Sequence, residues 1–425
     1  MPRFTEPQGN KGFVIMEDIV VGIDVGTTKV CTLVARVEED ALRIMGVGIE
    51  PSEGVKKGVI VDLVAASQAI ARSIEKAEQT SGMEINSALV SLAGAHVASI
   101  NSRGVVGISG DSVDEVDIER ALEAARAVAI PHDREVIHVI QRGFVVDGQD
   151  GIKQPIGMHG YRLEVEAHII TAGATTVQNL RQAVAASGVE VEHFVLNPLA
   201  SAEVVLNDTE RSMGSIVCDM GGGTTDLAIY VDGDVWHTMV LPVGGNHITA
   251  DIAQLLRLPI QQAEEIKKQY GHAIKGEVGM EETFSVRPFG EDNPVLISRH
   301  DLAHIIEARV EEIFSLALQE IKRSGYDGLL PAGMVLTGGG SLLPGIRQLA
   351  SRALGMPVRT AQPEKLVGLA DRLNSPAFST SVGLLYWATA MHEMPIPGES
   401  SRRKKSKGVS TDLTAVKTWF KRLLP

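Results

Sequence analysis

The chain has 425 residues, of which 44% are hydrophobic and 22% charged, with a formal net charge of −13. That length suffices for two or three domains with their own cores, and an acidic body offers phosphodiester backbones no basic surface, which excludes nucleic acid as a partner. Two cysteines, Cys31 and Cys218, each inside an apolar run, exclude a disulfide framework, and no stretch approaches the ~20 apolar residues of a membrane span.

In chain order, residues 1–16 lack the charged-then-apolar pattern of a signal peptide and read as a flexible leader. "DIVVGIDVG" and "TTKVCTLVARV" then predict consecutive strands, and "VDLVAASQAIARSIEKAEQTSG" predicts an amphipathic helix closed by Gly82. "SALVSLAG" is a buried strand, "VDEVDIERALEAARAVAIP" a helix stopped at Pro131, and "YRLEVEAHIITAG" a strand by its alternation. The stretch from Leu258 to Arg323 reads as mostly helical, interrupted by a polar loop around Gly276 to Asn293. From Pro395 to Gly408 the composition turns to Pro, Ser, Gly and a run of Arg and Lys, the mark of a flexible linker. The mixture predicts an α/β fold.

One internal echo organises the chain. "GIDVGTTKVCTLVA" at Gly22 and "CDMGGGTTDLAIYV" at Cys218 each give a strand, an Asp, glycine, two threonines and a second strand. Such duplication predicts two related lobes around a cleft. Glycine lets backbone amides approach an anion, and Thr hydroxyls donate to phosphate oxygens. An Asp beside them can hold a hydrated Mg²⁺. A third run, "VLTGGGSLLPGI", follows a strand and is expected to open a helix, so Gly338, Gly339 and Gly340 can pass flat beside a base or phosphate near a helix N-terminus. Any one of these loops alone reads as a tight turn; together and in this order they point to a nucleotide. None of the twelve histidines shows metal-ligand spacing.

The set "IDVGTTKV", "VLNPLASAEVVL", "VCDMGGGTTDLAIY", "VLTGGGSLLPGI" and "FSTSVGLLYWA" resembles the five-part signature of the actin/heat-shock-chaperone/sugar-kinase superfamily. More narrowly, the chain resembles the FtsA family of bacterial cell-division actins from about Asp18 to Ala390, including "NSRGVVGIS", "FVVDGQDGIKQPIGMHG" and "PVGGNHITADIA". The resemblance implies an actin-like α/β fold with two duplicated lobes around a nucleotide cleft. Subdomain 1A would comprise 17–99, 172–213 and 370–394, with the family's 1C insertion at 100–171. Subdomain 2A would comprise 214–250 and 326–369, with 2B at 251–325. The linker would be 395–410 and the terminal amphipathic helix 411–425. Small residues, Ala200 to Ala202 and Gly383, fall where two helices would cross at the hinge, a place that simple core packing explains equally well.

The resemblance implies ATP and Mg²⁺ as cofactors. Asp24 and Asp219 would hold the ion through water. Gly26, Thr27, Thr28 and Lys29 would face the phosphates from one side, and Gly222, Gly223, Thr224 and Thr225 from the other. Gly244, Gly245 and Asn246 form another glycine turn before a helix, suited to phosphate or sugar. Glu264 and Lys267, three apart on one helix face, would meet the ribose and adenine; a solvated face is the plainer reading of that pair. Chaperone and shape-determining members carry Glu-Pro where this chain has Asn197–Pro198. Asn orients a water but accepts no proton, so hydrolysis is expected to be weak and the protein no enzyme in the ordinary sense.

The implied function is an ATP-binding cytoskeletal protein that polymerises on the cytoplasmic face of the cell membrane at the division site and tethers FtsZ filaments there. Subdomain 2B would take the FtsZ C-terminal tail, with Arg299 and Arg309 beside a stripe of Leu302, Ile305, Ile306 and Val310; an ordinary amphipathic helix is the alternative. Subdomain 1C would meet the next subunit and later division proteins. The competing functions are a membrane-complex scaffold resembling PilM and a small-molecule kinase of the superfamily. In the tail "TDLTAVKTWFKRLLP", Leu413, Val416, Trp419, Phe420, Leu423 and Leu424 share one helical arc flanked by Lys417 and Lys421. From Ser401 onward eight Lys or Arg meet one acid, a net of +7, and −13 less +7 leaves −20 on the rest. A basic, aromatic-edged helix is the pattern of an interfacial anchor on an anionic membrane.

Overall fold

The computed structural model describes residues 19–392, apart from 39–40, 128–129 and 365. The leader, the basic linker and the terminal amphipathic helix read from the sequence lie outside the described residues. Two mixed sheets carry the two lobes. The first has six strands in the order Glu190–Leu196, Ser87–Leu92, Ile19–Val25, Lys29–Val37, Leu42–Pro51 and Val367–Gly368. The second has five, in the order Asp234–Leu241, Thr225–Val231, Ser215–Met220, Met334–Thr337 and Val358–Thr360.

In each lobe a central strand turns back on its neighbour through a glycine hairpin. Gly26 N–H donates to Lys29 O at 3.0 Å in the first and Gly221 N–H to Thr224 O at 2.9 Å in the second. The registers fix the comparison: Asp24 lies opposite Cys31, and Asp219 opposite Asp226. Thr27–Thr28 of the first turn therefore match Gly222–Gly223 of the second, not its threonines. The echo is a true structural repeat whose double threonine has slipped two residues along.

The helix expected to end at Gly82 spans Leu63–Ser81. Asp62 caps its start by accepting from Ala65 N–H, and Gly82 closes it at φ +69°. Its buried face, Ala66, Ala69, Ile70, Ser73, Ile74 and Ala77, follows the helical repeat. It lies on strand Leu42–Pro51 so closely that a Cβ at Gly48 would sit 1.8 Å from Ser73 O.

Between Ala98 and Gly173 a separate four-stranded antiparallel sheet projects from the first lobe, ordered Ala98–Gly107, Arg162–Gly173, Arg134–Val146, Gln149–Ile152. Helix Glu115–Arg126 crosses it; it starts two residues into the Val113–Pro131 stretch read from the sequence because a capping box of Asp114 and Asp117 sets its start, and it ends before Pro131. This unit has its own core around Phe144, Leu163, Val165 and Ile169.

In the second lobe, helices Gly245–Leu256, Ile260–Tyr270 and Arg299–Ser324 pack on the five-stranded sheet. The expected polar loop from Gly276 to Asn293 holds part of a hairpin instead: Thr283–Val286 pairs with Val295–Ser298. Phe284 and Val286 point inward between exposed polar neighbours, a four-residue alternation hidden in a charged stretch. The stripe of Leu302, Ile306 and Val310 is fully buried, so it is core and lines no groove; Ile305 is partly buried against that same core.

Helices Asn197–Val205 and Ser379–His392 cross between the lobes. A Cβ at Gly383 would stand 1.9 Å from Ala200 O, so only glycine permits the crossing. Trp387, fully buried, donates its indole N–H to Leu199 O at 3.4 Å.

Candidate functional site

A cavity of about 490 Å³ opens between the lobes. The two hairpins meet across it tip to tip: a Cβ at Gly222 would be 2.1 Å from Thr28 Oγ1, and one at Gly223 would be 2.4 Å from Thr27 Oγ1. Gly26, Thr27, Thr28 and Lys29 line one side and Gly222, Gly223 and Thr224 the other. Thr225 does not line it. The two-residue slip places Thr225 in the strand opposite Met220, fully buried, its hydroxyl donating to Val243 O at 2.8 Å.

Gly245 and Asn246 line the cavity, and Gly244 does not. Gly244 sits beneath as the N-cap of helix Gly245–Leu256, its N–H on His247 Nδ1 at 3.1 Å. The Gly245 and Asn246 N–H groups donate to Gly221 O and Gly222 O at 2.9 and 2.8 Å, so this helix start braces the second hairpin from behind. Gly338, Gly339 and Gly340 also line the cleft. Gly338 has φ +81°, and a Cβ there would be 2.3 Å from Asp219 Oδ1. These glycines enter a 3₁₀ turn, Gly339–Leu342, and the α-helix begins only at Ile346. The expected helix N-terminus at this loop is therefore displaced, because Pro344 intervenes.

Three buried carboxylates line the hairpin end of the cavity. Asp24 accepts from Ser91 Oγ at 3.0 Å and from Ser381 Oγ at 2.7 Å, with Lys29 Nζ 3.5 Å away. Asp219 accepts from Thr380 Oγ1 at 2.7 Å. Burial lifts Asp219 from 3.8 to about 6, with the Thr380 hydroxyl opposing and Asp24 adding to the rise. Asp226 is pushed well above the ordinary range by burial and then by Asp219 directly opposite. Asp226 and Thr380 were missed in the sequence. The repeat could have flagged Asp226, since it holds the place of Cys31, but only once the register is known.

At the other end, Glu264 and Lys267 form an ion pair of 2.6 Å in the cavity wall. Lys267 also donates to Gly245 O at 3.0 Å and Thr249 Oγ1 at 2.8 Å, so this face is walled in rather than solvated. Burial pulls the Lys267 ammonium below the usual lysine range, with Glu264 opposing that pull. Leu342, Leu343, Pro344, Pro376 and Ala377 add apolar lining to the same cavity.

The family model for cell division protein FtsA matches residues 216–383, and a second, the SHS2 domain inserted in FtsA, matches residues 94–171. Cell division protein FtsA of Pseudomonas aeruginosa is 44% identical over 87% of this chain and 89% of its own length. The chain belongs to the FtsA family. Among solved structures, the PilM–PilN type IV pilus biogenesis complex matches 88% of this chain and 99% of that one at TM-score 0.60 and 17% identity. MreB 5 of Spiroplasma citri, bound to AMPPNP, matches 88% and 97% at TM-score 0.54 and 16% identity. These two share the fold, which is actin-like, and the insertion is of the FtsA type. The chain is thus an actin-like cell-division protein of the FtsA family.

The family's insertion coincides with the separate sheet, whose first strand starts at Ala98, two residues ahead of the boundary read from the sequence. Arg299 and Arg309 are already engaged. Arg299 donates to Tyr270 O at 2.8 Å and pairs with Glu282 at 2.5 Å, and Arg309 forks onto Asp251 at 2.6 and 2.9 Å. Among the described residues no group of three or more His, Cys, Asp or Glu could hold a metal ion directly, and no helix is long and apolar enough to cross a membrane.

Proposed function

We propose that the cleft binds ATP with Mg²⁺, and that the bound nucleotide sets conformation and assembly rather than serving turnover. The observation that carries this is the pair of hairpins facing tip to tip around the cavity, with Asp24 and Asp219 behind them. The donor set fits the group: oxygen ligands suit a hard cation held through water. Asp226 Oδ1 and Asn197 Oδ1 are buried in this wall without a hydrogen-bond partner, as expected of acceptor atoms that await a donor such as water. When bound, the ion would neutralise phosphate charge. Thr27, Thr28 and the glycine amides would fix the phosphates, and Lys267 and Glu264 the sugar end. MreB 5, which shares the fold, is seen with AMPPNP.

Asn197 lines the cavity where a carboxylate base would be needed, which favours weak hydrolysis. On this reading the protein polymerises on the inner face of the cytoplasmic membrane at the division site. The tail from Leu413 to Leu424 anchors it to anionic lipid, subdomain 2B docks the FtsZ tail, and 1C serves the next subunit and later division proteins. Since the stripe beside Arg299 is core, an FtsZ peptide would reach Arg299 only by competing with Glu282. The test is to add the full-length protein with ATP to anionic vesicles and look for membrane-bound filaments by electron microscopy. Filaments that need both ATP and lipid support the reading; protein left in solution in single copies overturns it.

A further inference from the structure

The insertion belongs to the first lobe by chain connection. It leaves after strand Ser87–Leu92 and returns into helix Ala174–Ala185. Yet its side chains engage the second lobe, along Asp234–Leu241, the edge strand of the five-stranded sheet. Ile140 and Ile170 of the insertion share an apolar core with Val235 and Val240 of this strand, Ser99 Oγ donates to Thr238 O at 3.0 Å, and three side-chain pairs complete the junction. Lys153 Nζ meets the Asp234 carboxylate and also donates to Asp232 O at 3.2 Å. The Arg142 guanidinium lies 4.0 Å over the Trp236 ring. His168 Nε2 and Thr238 Oγ1 hydrogen-bond at 3.1 Å.

These are buried contacts between groups that cannot be left half-made. Asp234, Arg142, His168 and Thr238 are all buried. A buried polar group separated from its partner and still dry is penalised, so the junction is either closed or opened to water as a whole. Burial holds the His168 ring down to about 3, so it is neutral at cellular pH.

We propose that the insertion is an arm gated by the cleft: fixed by backbone to one lobe and clamped by these contacts to the other, it is released when the lobes move apart and held when they close. The gating half of this rests on the nucleotide reading of the cleft; the clamp does not. A motion of one lobe against the other then has a mechanical consequence. The arm cannot follow both lobes, so either the clamp breaks or the strands at its root bend. The clamp is the weaker link, being made of non-covalent contacts and not of covalent chain.

The experiment uses full-length protein and amide hydrogen exchange over strands Ala98–Gly107 and Asp234–Leu241, without nucleotide and with saturating Mg-ATP. Lys153→Glu and Asp234→Lys are each expected to raise exchange in both strands several-fold. The double swap is expected to return it toward wild type, because the pair is remade with reversed polarity. Wild-type exchange in both single variants, or a double variant as open as the singles, overturns the clamp. If a single variant fails to fold, Arg142→Met gives the second measurement: Trp236 emission should shift to longer wavelength as water reaches the ring, and an unshifted spectrum overturns the clamp. For gating, binding of a fluorescent ATP analogue is measured on the same wild-type sample. Bound nucleotide with unchanged exchange in both strands overturns the gate. No bound nucleotide overturns the reading of the cleft instead, and the swap still decides the clamp.

Discussion

Replacing Asp219 with Asn should stabilise the nucleotide-free protein while weakening its hold on Mg-nucleotide. Burial raises this carboxyl from 3.8 to about 6. An acid whose native pKa lies above its unfolded value holds its proton more tightly when folded. Its favourable contribution is therefore present at low pH and lost as pH rises through the window from about 3.8 to about 6. Each tenfold step in proton affinity is worth about 1.4 kcal/mol, so the ionised side chain costs the folded state about 3 kcal/mol at neutral pH. Asn keeps the shape and the acceptor for the Thr380 hydroxyl at 2.7 Å, and removes the charge. Urea unfolding without nucleotide should show the variant more stable by up to ~3 kcal/mol at pH 7. The gap should narrow as pH falls through 6 and close near 4. In parallel, titration with Mg-ATP should show weakened binding. A variant that is less stable at pH 7, or a gap that does not change with pH, would refute the reasoning.

Three other perturbations probe different parts of the molecule. Gly383→Ala puts a methyl 1.9 Å from Ala200 O and should cost about 1–3 kcal/mol in thermal or urea unfolding, with a broadened transition where the lobes uncouple. Lys267→Ala removes the nearer of Glu264's two lysine partners, leaving Lys268 at 3.3 Å, and should weaken ATP binding by roughly tenfold, read by calorimetry, with little change in overall fold. Replacing both Trp419 and Phe420 with Glu should release the protein from anionic vesicles in co-sedimentation while ATP affinity stays the same; unchanged sedimentation would mean the tail is not the anchor.

Most of the fold was legible because its signals are local and periodic. The helix ending at Gly82 announced itself by spacing and cap, and the two hairpins by repetition of Asp, Gly and Thr between apolar strands. What stayed hidden depends on register or on three dimensions. Thr225 looked like a phosphate ligand because the two threonines align by eye, and only the pairing of Asp219 with Asp226 shows the slip. Arg299 looked free because its partners, Tyr270 O and Glu282, lie 29 and 17 residues away. The buried stripe beside it has the same helical spacing whether it faces a groove or a core. The hairpin at Thr283–Val286 was lost because four residues of alternation carry little weight in a polar stretch.

The two-residue slip also settles an ambiguity that any duplicated binding site faces. Two identical hairpins related by an approximate twofold axis would present the same donors to both ends of a symmetric polyphosphate, and the ligand could dock either way round. Here one tip offers the hydroxyls of Thr27 and Thr28 and the Lys29 ammonium, whereas the opposing tip offers the bare backbone of Gly222 and Gly223 and, in the place of Lys29, a Thr224 hydroxyl that donates to Asp226 Oδ2 at 3.1 Å. The repeat has become an asymmetric socket, with a jaw that carries an ammonium and one that carries none. If the cleft takes a nucleotide as proposed, the offset between the halves favours one direction of entry before any contact to its base is made.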